Sequence, residues 1–171
     1  MFARLRRRQR RGLPTFVFVD LVGFTAATER LGDEAAADLA REFRRSMCAL
    51  SCRLNTRQIK SMGDGVMIWA HDPADAVVLA ERTLHEIGTR GDLLPVRIGV
   101  HTGPAVRRGG DWYGGAVNVA ARLAAQAEPS EALISGDTRA EIDDATARAL
   151  RDSRELSLRG VARPVGVWSL A

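Results

Sequence analysis

Two aspartates 44 residues apart, Asp20 and Asp64, each sit at the edge of an apolar run. Asp20 closes Thr15-Phe-Val-Phe-Val19 and precedes Leu21-Val-Gly-Phe-Thr25; Asp64 lies in Lys60-Ser-Met-Gly-Asp-Gly65 and opens Val66-Met-Ile-Trp69. Carboxylates at strand ends suit divalent cations, which take oxygen ligands and leave positions for substrate phosphates. A pair of such cations activates an attacking oxygen and steadies a leaving one. On spacing alone, two ordinary turn-capping aspartates fit equally well. Lys60 is the only lysine among 25 basic residues. In a chain that otherwise uses arginine, a solitary lysine points to a need for a compact ammonium rather than a planar fork.

The surrounding pattern says which elements hold these groups. Residues 15–19 are dense in Val and Phe and predict a buried strand. Thr25 is expected to cap a short helix, and Asp33 a longer one reaching about Cys52 with an apolar stripe of Leu39, Phe43, Met47, Leu50 and Leu54. Strands are expected at 57–60 and 66–69, joined by a hairpin loop over 61–65. Pro73 opens a helix with Val77, Ala80, Leu84 and Ile87 on one face, and Val96–His101 is a further strand. The order β-α-β-β-α-β is the ferredoxin-like split unit, an α+β fold. There the first strand runs antiparallel to the third, so the end holding Asp20 meets the start holding Asp64. A C-terminal αβ extension follows: a short strand at 105–107, a polar loop, a helix from Gly114, a strand at 132–135, a helix at 137–150, and strands at 155–158 and 165–170. Asn118 and Arg122 lie four apart on one helix face.

Composition sets the class. The chain has 171 residues, 46% hydrophobic and 27% charged, which reads as one globular domain. No apolar stretch approaches the ~20 residues of a membrane span. The amino terminus lacks a signal-peptide core, so the expected location is cytoplasmic. Six arginines fall within residues 4–11; removing them from the formal net charge of +4 leaves −2. The basicity thus belongs to a tail over residues 1–13, read as a flexible arm, and residues 14–171 form the domain. With only 5% aromatics there is no base-stacking platform, and no nucleic-acid partner is expected. Cys48 and Cys52 share a helix side and read as buried free thiols.

Four segments in order, Phe18-Val-Asp-Leu-Val-Gly-Phe-Thr25, Lys60-Ser-Met-Gly-Asp64, Arg97-Ile-Gly-Val-His-Thr-Gly103 and Asp111-Trp-Tyr-Gly-Gly-Ala-Val-Asn-Val-Ala-Ala-Arg122, resemble the motifs of class III nucleotidyl cyclase catalytic domains. Only 12 residues separate His101 from Gly114, which resembles the short-arm bacterial subgroup. The resemblance implies a head-to-tail homodimer with composite sites at its interface, and two Mg²⁺ or Mn²⁺ ions held by Asp20, Asp64 and the Leu21 carbonyl. It implies ATP as substrate, with the triphosphate at the backbone of Gly23, Phe24 and Thr25. Lys60 and Asp111 match the adenine-selecting pair, Asn118 the ribose-orienting residue, and Arg122 the residue that stabilises charge on the α-phosphate. Arg97 and Arg159 match phosphate-contacting positions. His101 carries no catalytic role in the family and reads as a core histidine; Trp112 and Tyr113 read as interface aromatics.

The implied function is adenylyl cyclase, with a regulatory domain or partner missing from the sequence. A catalytically silent nucleotide-binding domain is the alternative, against which the full residue set counts. An RNA-binding ferredoxin-like module is disfavoured by the acidic core.

Overall fold

The computed structural model describes residues 12–170, except the side chain of Gln58. Most of the arginine-rich tail therefore lies outside the described residues. The elements in chain order are β1 (Thr15–Leu21), α1 (Phe24–Leu31), α2 (Asp33–Arg53), β2 (Thr56–Met62), β3 (Gly65–Ala70), α3 (Pro73–Gly88) and β4 (Val96–Thr102). There follow β5 (Val106–Arg108), β6 (Asp111–Tyr113), α4 (Gly115–Gln126), β7 (Glu131–Ser135), α5 (Gly136–Glu141), α6 (Asp144–Ala147), β8 (Arg151–Leu156) and β9 (Val165–Leu170).

Seven strands form one sheet in the order β2-β3-β1-β4-β7-β9-β8. Its first four strands have the split-unit arrangement expected, with β1 antiparallel to both β3 and β4. Alternation along β1 sorts its side chains between two cores. Val17, Val19 and Leu21 join Phe43, Met47, Leu50, Val77 and Ile87 on the face covered by α2 and α3. Phe16 and Phe18 join Ala116, Ala120 and Ala124 of α4 on the other. The same alternation carries Asp20 onto the α4 side, beyond Phe18.

The small residues of α4 have a packing reason. A Cβ at Gly99 of β4 would lie 2.2 Å from the Ala120 carbonyl oxygen and 2.3 Å from the Ala124 nitrogen. The helix backbone thus rests directly on the strand, which only glycine permits.

Several local expectations are corrected. Thr25 does not cap α1: Gly23, at φ 73°, is the N-cap, and Thr25 lies in the first turn. Gly32, not Asp33, is the N-cap of α2. Residues 137–150 do not form one helix, because Ile142 turns extended and buries itself while the Asp143 side chain caps a new start at Thr146 N–H. The first helix there begins earlier, where Ser135 accepts from the Thr138 N–H. The strand expected at 155–158 runs over 151–156, since Leu158 leaves the sheet to bury against α4. The polar loop after β5 is a hairpin with β6. Cys48 and Cys52 are both exposed, because Met47 and Leu50 take the buried side of α2.

Candidate active site

Leu21 N–H donates to the Asp64 carbonyl at 3.2 Å, and Asp20 lies opposite Gly65 in the β1–β3 register. The two aspartates thus meet at one sheet end, as their strand positions require. A Cβ at Gly65 would stand 3.1 Å from Asp20 Oδ1, so the missing side chain leaves the carboxylate its place. Burial and the charge of Asp20 together raise the Asp64 carboxyl above its usual range. Mutual repulsion of that kind is what a bound cation relieves. Among the described residues there is no cluster of three or more His, Cys, Asp or Glu side chains. The donor set is therefore two carboxylates and nearby backbone oxygen, which fits a hard divalent ion whose coordination a phosphate completes.

Arg97 is not free for a phosphate in this structure. It faces Asp20 across β1–β4 and donates from Nε at 3.1 Å and Nη2 at 2.8 Å to Asp20 Oδ2.

Lys60 and Asp111, 51 positions apart, are brought together: Nζ lies 2.7 Å from Oδ2. Asp111 also accepts from the Trp112 N–H, and the Lys60 bond holds its carboxyl below the usual range. A bulge in β2 between Gln58 and Lys60 sets the lysine's position on this edge strand. Asp20, Lys60 and Asn118 line a single cavity of about 400 Å³ whose apolar wall includes Phe18, Met67, Val117 and Ala121. A flat heterocycle has an apolar surface there and polar groups at its rim.

Asn118 and Arg122 rise from α4, one turn apart, behind the Gly114 N-cap at φ 147°. Asn118 is exposed, whereas Arg122 is half-buried and its Nη1 has no hydrogen-bond partner among the described residues. Gly23, Phe24 and Thr25 form the start of α1, which has no acidic residue in its first turn. That helix end is open to an anion. Arg159 is exposed in the turn between β8 and β9.

His101 is buried and supports the fold, with Nδ1 2.8 Å from Ser135 Oγ. Trp112 finds its partners inside the chain, edge-on to Phe16 at 5.5 Å and tilted on Trp69 at 5.4 Å. Tyr113 remains 57% exposed. Sequence reasoning missed the Asp20–Arg97 pair, although the split-unit order places both residues on neighbouring antiparallel strands. It also missed the turn behind Arg122, for which a lone glycine gave no distinguishing signal.

A family model described as "Adenylate and Guanylate cyclase catalytic domain" matches residues 7–169. A pH-sensitive adenylate cyclase of Mycobacterium tuberculosis is 34% identical over 134 residues, covering 77% of this chain and 33% of that protein. An adenylate cyclase of Streptomyces griseus is 32% identical over 123 residues, covering 72% and 31%. The chain thus spans about a third of the length of these curated relatives. Among solved structures, a monomeric Trypanosoma brucei adenylate cyclase superposes with a TM-score of 0.84 at 22% identity, covering 92% and 87%. The adenylyl cyclase CyaB from P. aeruginosa superposes at 0.71 and 23% identity, covering 94% of both chains. The guanylyl cyclase Cya2 superposes at 0.77 and 22% identity, covering 94% of both chains, so backbone likeness alone does not choose the base.

Proposed function

Because this chain belongs to the family of adenylate and guanylate cyclase catalytic domains, we propose that it converts ATP to 3′,5′-cyclic AMP and pyrophosphate, with Lys60 and Asp111 facing the purine. The observation that carries this reading is the 2.7 Å Lys60–Asp111 pair, whose lysine borders an apolar wall of Phe18, Met67 and Ala121. Lysine donates to adenine N1, and aspartate accepts from the exocyclic amine. Guanine presents a donor and an acceptor at the same atoms, so both contacts would oppose it.

In this reaction the 3′-hydroxyl gives up its proton to solvent, the ribose O3′–Pα bond forms, the bond from Pα to the bridging oxygen breaks, and pyrophosphate leaves. Asn118 orients the ribose, and Arg122 stabilises charge on the α-phosphate, where a preorganised donor has its greatest effect. The start of α1 receives the triphosphate, with Arg97 and Arg159 as cationic contacts. Asp20, Asp64 and the Leu21 carbonyl would hold two Mg²⁺ or Mn²⁺ ions. When bound, these lower the pKa of the attacking hydroxyl and neutralise the phosphates.

The site is proposed to be shared in a head-to-tail homodimer, each site taking Asp20 and Asp64 from one subunit and Lys60, Asp111, Asn118 and Arg122 from the other. Exposed apolar side chains at the tip of the β2–β3 hairpin and at the base of the β5–β6 hairpin support a pairing face: Met62, Val106 and Tyr113 are 41%, 56% and 57% exposed. No helix among the described residues is long and apolar enough to cross a membrane. A cytoplasmic setting and a regulatory partner remain part of the proposal.

The test is product analysis after incubation with ATP or GTP and either cation. Cyclic AMP from ATP, with little cyclic GMP, is the expected result. No cyclic nucleotide from either substrate would leave a silent nucleotide-binding domain as the better reading.

A further inference from the structure

The turn between β8 and β9 lies directly behind Arg122. Leu158 to Val161 form a tight turn closed by the Val161 N–H on the Leu158 carbonyl at 3.0 Å. Its third residue is Gly160 at φ 72°, the position at which such a turn calls for glycine. Leu158 is buried with Val119 and Leu123, the α4 residues on either side of Arg122, and Val161 packs against the same cluster. The turn is therefore fixed to the helix that carries the arginine.

Gly160 also meets the guanidinium itself. A Cβ there would stand 3.2 Å from Nη1, 3.4 Å from Nη2 and 3.7 Å from Cζ of Arg122. Cζ is the farthest of the three, so that missing atom would stand at the outer end of the guanidinium, between its two Nη nitrogens, and the bare glycine backbone is what leaves that end its room. Glycine is thus required twice, for the backbone angle and for the arginine's room. Among the described residues Nη1 is buried with no hydrogen-bond partner, so the group keeps bonding capacity in reserve. An unpaired buried donor is costly and calls for an explanation, a catalytic role being one.

We propose that Gly160 is a positioning residue, whose bare backbone is the platform that fixes the Arg122 guanidinium toward the phosphate undergoing attack. This rests on the functional reading of Arg122 given above. A Cβ would push that group by a few tenths of an ångström, and kcat is expected to fall several-fold, short of the roughly hundredfold loss of a full 1 Å misplacement. KM for ATP should change little, because the arginine acts mainly on the transition state.

Gly160→Ala and Gly160→Asn test this together. Asparagine tolerates the left-handed backbone, so it retains the turn while still placing a Cβ on the arginine. The readouts are kcat, KM and the ¹⁵N Nε–H resonance of Arg122, assigned by its loss in Arg122→Lys. Both variants should move or broaden that resonance and lower kcat. In an Arg122→Ala background, neither should lower kcat further. An unmoved resonance in the folded Asn variant would overturn the platform, as would an equal loss of kcat in the Arg122→Ala background. A displaced resonance with unchanged kcat would support the platform and instead refute the catalytic role of Arg122.

Discussion

Asp20 and Arg97 stand opposite each other on β1 and β4, and two guanidinium nitrogens converge on one carboxylate oxygen at 3.1 and 2.8 Å. A residue expected on the triphosphate thus holds a residue expected on the cation. The two roles compete, because the guanidinium charge paired with Asp20 opposes a cation on the same carboxylate.

That relationship predicts the behaviour of Arg97→Gln. Without nucleotide, Mn²⁺ should bind the variant more tightly by roughly two- to fivefold, the scale of a partly exposed ion pair. ATP turnover should fall, because a phosphate contact is lost. Calorimetric titration of the nucleotide-free protein gives the first quantity. Unchanged or weaker Mn²⁺ binding would show that the pair does not compete with the cation.

Purine choice should follow Lys60 and Asp111. Lys60→Glu with Asp111→Cys is expected to depress ATP use and relax discrimination against GTP, read as the ratio of kcat/KM values. Full guanylyl cyclase activity is not expected, since reversing two hydrogen bonds does not restore geometry. Retention of the parent preference would mean these residues do not read the base.

His101 predicts an acid limb in stability. Burial lowers its pKa from 6.5, only partly offset by Asp137 Oδ2 at 3.8 Å from Nδ1. The unfolded chain therefore takes a proton below 6.5 while the folded chain resists it, and stability falls as pH drops toward the lower folded pKa. The slope contributed is at most about 1.4 kcal/mol per pH unit. His101→Gln should flatten this limb in thermal unfolding between about pH 7 and pH 5. An identical pH dependence in parent and variant would contradict it.

Gly99→Ala tests how α4 is seated. The added methyl meets helix backbone at 2.2 and 2.3 Å, so the helix carrying Asn118 and Arg122 must move. A cost of about 1–3 kcal/mol is expected, or roughly 3–8 °C in Tm. Turnover should fall with it. A variant with parental Tm would mean that α4 rides on something other than this contact.

Much of this was legible in the sequence because alternation and strand order are local signals. The Val and Phe of β1 announced a strand buried on both faces, and the split-unit order alone brought Asp20 to Asp64. The Lys60–Asp111 meeting was legible only through motif resemblance, since it joins an edge strand to a hairpin read as loop. Capping was misjudged where glycines at positive φ took the N-cap from Thr25 and Asp33. The break at Ile142 was missed because one buried apolar residue outweighed helix propensity across the whole stretch. The exposed Cys48 and Cys52 show that cysteine's general habit yields to the helix face it occupies.

The most direct test is complementation between two nearly inactive variants, Asp20→Ala and Arg122→Ala. If each site draws these residues from different subunits, every site in either homodimer lacks one essential group. A mixed dimer collects both lesions in one site and leaves the other whole. With free exchange of a symmetric dimer, about half of the dimers are mixed and about a quarter of all sites are intact. Mixing two inactive proteins at equal, saturating concentration should therefore restore roughly a quarter of parental cyclic AMP formation. A mixture whose dimers demonstrably exchange and which stays inactive would contradict the shared site.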